Sequence, residues 1–107
     1  MGKSIKFTFE GKEYELEFNR KAVEMLEARG FLIDNLATTP AITIPLLFHG
    51  AFYMHHKGIT IDNTNKILAT LKDTSKLVSK LVEMYSEPIN ALIDDTDEKN
   101  LEWEANW

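Results

Sequence analysis

The 107-residue sequence contains no cysteine, which excludes a disulfide framework, thiolate chemistry and any cysteine-ligated zinc. Its glycines (Gly2, Gly11, Gly30, Gly50 and Gly58) stand singly, so no glycine-rich loop is available to cradle a phosphate. No apolar run approaches the roughly 20 residues that a membrane span requires. Met1–Lys3 does not open a signal peptide, so a cytoplasm is the expected compartment. A basic surplus is missing as well. The net charge is −5 and sits at one end: residues 94–107 hold Asp94, Asp95, Asp97, Glu98, Glu102 and Glu104 against the single Lys99. That leaves 11 of the chain's 17 acids and 11 of its 12 bases in residues 1–93. Without excess cations, neither nucleic acid nor an anionic membrane is an expected partner.

What is present is one domain's worth of amphipathic structure. With 44% hydrophobic and 27% charged residues, the chain has the balance of a folded domain rather than a disordered one. Ile5, Phe7 and Phe9 alternate with polar residues, and after Glu10-Gly11-Lys12 the alternation resumes with Tyr14, Leu16 and Phe18. Period-two patterning on both sides of a short glycine turn predicts an antiparallel β-hairpin over residues 3–18, with Gly11 at positive φ. An isolated hairpin is marginal in water, so its apolar face is expected to lie on helices.

Helices are expected at about 20–29, 40–57, 61–72, 74–85 and 88–93. Asn19 caps the first, and Arg29-Gly30 closes it. Thr39-Pro40 opens the second, which is apolar nearly all round (Ile42, Ile44, Leu46, Leu47, Phe48, Ala51, Phe52, Tyr53, Met54) and is therefore placed at the centre of the fold. Thr60 or Asp62 caps the third, Asp73 or Thr74 the fourth, and Ser86-Glu87-Pro88 opens the fifth. The expectation is an α+β domain over residues 1–93, a hairpin packed on about five helices, followed by an acidic, tryptophan-containing tail, 94–107. In that tail Leu101, Trp103, Ala105 and Trp107 alternate with polar residues. Two readings stand side by side: a third strand closing over the hairpin, or a detachable segment that docks on a partner.

Catalytic chemistry has little to stand on. His49 and His56 are seven residues apart, two helical turns or about 10.5 Å, whereas a helix holds one metal with ligands three or four apart. Ser4, Ser75, Ser79 and Ser86 lie in no nucleophile-elbow pattern. Asp94-Asp95 read as solvated charge rather than an acid/base pair. The expectation is a protein that is not an enzyme, with no catalytic residues, no metal and no cofactor. The candidate partner contacts are Phe48, Phe52, Tyr53 and Met54, from a helix with a surplus apolar face suited to an oligomer contact, together with Trp103 and Trp107.

Three stretches carry a family resemblance: FTFEGKEYELEFNRKAVEMLEARGF, IPLLFHGAFYMHHKGIT and LVEMYSEPINALIDD through EKNLEWEANW. Together they resemble the small tail assembly chaperones of long-tailed phages and prophages of Gram-positive bacteria. The resemblance implies a protein of the bacterial host cytoplasm that coats the tape measure protein, helps recruit the major tail (tube) protein and leaves before the virion is finished. It carries no residue-level motif. In many relatives a ribosomal frameshift near the 3′ end appends a second domain, and Glu98-Lys99-Asn100 can be encoded by an adenine run suited to such a slip. The same features also fit a structural tail or head-tail adaptor retained in the virion, or a small regulatory binding module.

Overall fold

The computed structural model describes residues 3–93 and 101–107. The acidic residues 94–100, including Glu98-Lys99-Asn100, lie outside the described residues. The fold is α+β. Strands β1 (Ser4–Phe9) and β2 (Lys12–Glu17) form an antiparallel hairpin. Helices α1 (Arg20–Ala28), α2 (Pro40–Gly50), α3 (Ile61–Leu68) and α4 (Thr74–Ile93) follow, with a short 3-10 helix, Ile33–Leu36, between α1 and α2.

The hairpin register pairs Phe9 with Lys12, Phe7 with Tyr14 and Ile5 with Leu16. Its two-residue loop has Gly11 at φ 79°, as the glycine turn implies, and also Glu10 at φ 51°. Positive φ at both loop residues is the I′ geometry that matches strand twist; glutamate adopts it at some cost. Asn19 accepts from the Ala22 N–H at 2.8 Å and starts α1. The end of α1 is a Schellman motif: Gly30, at φ 86°, donates to Glu27 O, and Phe31 donates to Leu26 O, both at 3.0 Å. The turn drives Phe31 into the core, where its ring meets Tyr85 at 5.2 Å.

α2 departs from expectation in length. It ends at Gly50 rather than near Lys57, and the chain continues as tight turns in which Phe52 donates to His49 O and Tyr53 to Gly50 O, each at 3.1 Å. The reason lies on the hairpin. The Glu17 N–H donates to Ala51 O at 3.0 Å, and the Glu15 N–H donates to the His56 ring at 3.1 Å. The segment after Gly50 is drawn along the outer edge of β2, whose backbone donors would otherwise be unpaired. α2 is buried from several sides: Leu47 and Phe48 are fully covered, as are Ala51 and Phe52 just beyond it. Gly50 faces α1, where a Cβ would come within 2.5–2.8 Å of the Leu26 side chain.

α3 stops at Leu68 instead of residue 72, with Thr60 as its cap, accepting from the Asn63 N–H at 3.2 Å. The two helices expected at 74–85 and 88–93 are one, α4, which runs 20 residues through Pro88. Proline removes one helical hydrogen bond there, but Leu77, Leu81, Met84, Tyr85, Ile89 and Leu92 keep one apolar stripe across it, and packing of that stripe holds the helix together. Among the described residues the α-helices therefore number four, not five. A third strand is likewise not seen among the described residues: the sheet has two strands, and 101–107 carry no strand and stand exposed. Alternation in the sequence is a pattern that a partner strand must still satisfy, and here the tail has none.

Candidate interaction surfaces

The hairpin lies on the core through one aromatic cluster. Phe7 stacks on Tyr14 with centroids 5.5 Å apart, and Phe52 meets Phe7, Tyr14 and Phe48 edge-on at 6.3, 5.7 and 5.1 Å. Phe48 and Phe52 are 0% exposed. As candidate partner contacts they are therefore corrected to core residues: Phe52 is packed on the hairpin rings and Phe48 on Phe52, and neither leaves surface for a partner to touch. Tyr53 is half-buried with Lys57 over its ring at 5.3 Å, and Met54 is exposed. Trp103 and Trp107 are exposed over nearly their whole surface.

Each histidine has a structural partner. His49 Nε2 lies 3.0 Å from the Ile59 carbonyl, so it carries the ring proton, and Nδ1 accepts from Arg29 at 3.1 Å. That bridge ties the end of α1 to α2 and to the loop before α3. His56 Nε2 accepts from the Glu15 N–H, which requires the neutral ring. Burial, aided by the nearby Lys12 ammonium and by His55, holds the His56 imidazole below the ordinary histidine range, while Glu15 acts the other way. His55 Nε2 pairs with Glu17 at 2.9 Å and lies 3.9 Å from Glu15.

His55, Glu15 and Glu17 thus present three potential ligand atoms within 4.8 Å of one another. Histidine spacing alone did not point to them, because two of the three come from a strand about forty residues away. The His55–Glu17 hydrogen bond ties the post-α2 turn to β2. An open cleft of about 930 Å³ lies beside it, bordered by the hairpin loop at Phe9 and Lys12, by His55 and His56, and by Asn63 and Lys66 of α3.

The surface least expected from the sequence is a groove of about 270 Å³ between α1 and α4. Val23, Ile89 and Leu92 give it an apolar floor with Pro88, and Arg20, Glu24 and Glu27 form a charged rim. Arg20 and Glu24 pair along the helix at 3.2 Å. Leu92 is 51% exposed and Ile93 80%, so apolar surface continues beyond the groove at the end of α4. In the sequence these residues read as ordinary core stripe; only the continuity of α4 past Pro88 carries Leu92 and Ile93 beyond the cover of the core.

Among the described residues no helix is long and apolar enough to cross a membrane. Over residues 1–107 the chain matches the family described as a domain of unknown function (DUF5055), and it belongs to that family. No curated protein and no solved structure matches it.

Proposed function

We propose that this family member is a non-enzymatic phage tail assembly chaperone that binds the tape measure protein, and through that complex the major tail protein, in the cytoplasm of a bacterial host. The observation that supports this reading best is the α1–α4 groove. A shallow apolar floor of Val23, Ile89 and Leu92 with a charged rim suits the stripe of an amphipathic helix, whose apolar residues recur at three- and four-residue spacing. A long helical tape measure would present such a stripe repeatedly, and needs it covered until assembly. The exposed apolar residues Leu92 and Ile93 extend the contact. The chain's own charge, net −5, keeps the loaded chaperone in solution.

Co-expression with the tape measure protein tests the reading directly. The wild-type chain should raise the soluble yield of the tape measure protein and co-purify with it. Leu92→Glu combined with Ile89→Glu should abolish both effects while circular dichroism shows the helices intact. A tape measure protein equally insoluble with and without the wild-type chain would overturn the proposal. Mass spectrometry of purified virions beside infected lysate separates it from the adaptor reading, since a chaperone is absent from particles and an adaptor is present in fixed copy number. The expectation of no bound metal is tested by elemental analysis of untagged protein: stoichiometric metal lost on His55→Ala would refute it.

A further inference from the structure

We propose that the outer edge of β1 is completed by the Leu101–Trp107 segment of a second copy of this chain. The hairpin's two edges are not alike. On β2, the N–H groups of Glu15 and Glu17 point away from β1 and are taken up by His56 and Ala51. In an antiparallel pair, residues whose backbone groups point outward face partners whose groups also point outward. Glu15 and Glu17 are opposite Lys6 and Ser4. The N–H and C=O groups of Ser4 and Lys6, and of Thr8 by the same alternation, therefore line the free edge of β1, where no strand pairs with them among the described residues. Such a row is a template for strand addition.

The tail has the properties of the missing strand. It is seven residues long against the six of β1. Its period-two pattern would put Leu101, Trp103, Ala105 and Trp107 beside Ile5, Phe7 and Phe9, which are only half-buried with one strand beside them. Glu102 and Glu104 would then fall on the opposite face, where β1 offers Lys6 as a cross-strand counter-charge. Among the described residues the edge and the tail coexist without pairing, with Leu101 91%, Trp103 82% and Trp107 104% exposed. Reciprocal exchange between two copies satisfies both edges and both tails in one twofold-symmetric contact.

Register supplies a clean test. Because the Lys6 N–H points outward, Lys6→Pro removes a donor from the free edge and leaves the ladder to β2 intact, the one strand position type where proline is tolerated. Light scattering and sedimentation across a concentration series should show the wild-type chain as a dimer at high concentration. Both Lys6→Pro and deletion of residues 101–107 should weaken dimerisation about tenfold or more, with circular dichroism confirming that each variant is folded. Both tryptophans of the chain lie in the tail, so their emission should shift to the blue as the wild-type protein concentrates, and should not shift in Lys6→Pro. A wild-type chain that stays monomeric, a dimer that survives both changes, or tryptophan emission that is blue-shifted independently of concentration, as pairing within one chain would give, each overturns the proposal.

Discussion

Leu46–Met54 and Leu101–Trp107 carry the same kind of side chain, large and apolar with aromatics close together, and they end in opposite environments. In the first, Leu47, Phe48, Ala51 and Phe52 have no exposed surface at all; in the second, Trp103 and Trp107 have almost no cover. Their large apolar side chains alone do not separate them, although Glu102, Glu104 and Asn106 interleave the second. What does is the presence of neighbours with unsatisfied groups of their own. The post-α2 turn reaches a strand edge with free N–H groups and a hairpin face rich in aromatic rings, and both are completed by it. The tail follows the last helix, and among the described residues of its own chain no strand pairs with it. An apolar segment is core when another element needs it, and is available for binding when none does.

The sharpest way to break this contrast is to truncate the ring at its centre. Phe52→Ala removes a fully buried aromatic that touches Phe7, Tyr14 and Phe48, and should cost about 3–5 kcal/mol in denaturant titration. A loss below about 1 kcal/mol, the level of an ordinary surface change, would return Phe52 to the list of contact residues. Next in size is Gly50→Ala. The added Cβ would lie 2.5–2.8 Å from Leu26 Cδ1, Cγ and Cδ2, and Leu26 is itself fully buried, so its branch point must move rather than a free end. Overpacking of this kind costs about 1–3 kcal/mol. Were Gly50→Ala to stabilise the protein, as alanine does in an unobstructed helix, the close α1–α2 approach would be wrong.

A smaller effect belongs to the hydrogen bond that ends the core segment. His56 holds the Glu15 N–H only as a neutral ring, and its folded pKa lies below the ordinary value of 6.5. The unfolded chain therefore binds the proton first as pH falls. The contribution is fully present above pH 6.5 and is lost as pH falls through the lower, folded value. His56→Phe should remove this pH dependence and cost about 1 kcal/mol at pH 8, because the Glu15 N–H loses its acceptor. Stability measured at pH 8, 6.5 and 5 for both proteins checks the sign. A wild-type chain whose stability rises on acidification, with that rise abolished in the variant, would reverse the assignment.

Much of this was legible from residue pattern, and the failures share a cause. Asn19, Gly11, Gly30 and Thr60 act locally, through hydrogen bonds or φ values set within a few residues, so their roles follow from sequence. The stop of α2 at Gly50 depends on Glu15 and Glu17, more than thirty residues away in the chain. The continuity of α4 depends on a stripe strong enough to outweigh Pro88. The His55–Glu17 pair and the α1–α4 groove likewise join distant segments. Reading Phe48 and Phe52 as contact residues failed for the same reason, since the aromatic face that covers Phe52, on which Phe48 packs, comes from the opposite end of the chain.

The last test concerns the exposed member of the comparison, and it expects almost nothing in one measurement and a clear change in another. Removing residues 94–107 deletes both tryptophans but none of the buried core, whose members all precede Ile93. The unfolding free energy of the dilute protein should then change by no more than about 0.5 kcal/mol, as for surface changes elsewhere. Dilution matters, because any stability that the tail gives through a second copy rises with concentration and would otherwise be counted as intramolecular. Solubility should respond instead. The segment carries the whole net charge of −5, and the remaining 93 residues balance 11 acids with 11 bases, so charge repulsion between molecules falls to near zero at neutral pH. The shortened chain should precipitate at lower concentration than the full chain, and the difference should shrink in high salt, where the tail's charge is screened. If the shortened chain instead unfolds in dilute solution, the tail is an integral part of the fold, and the distinction between the two apolar segments collapses.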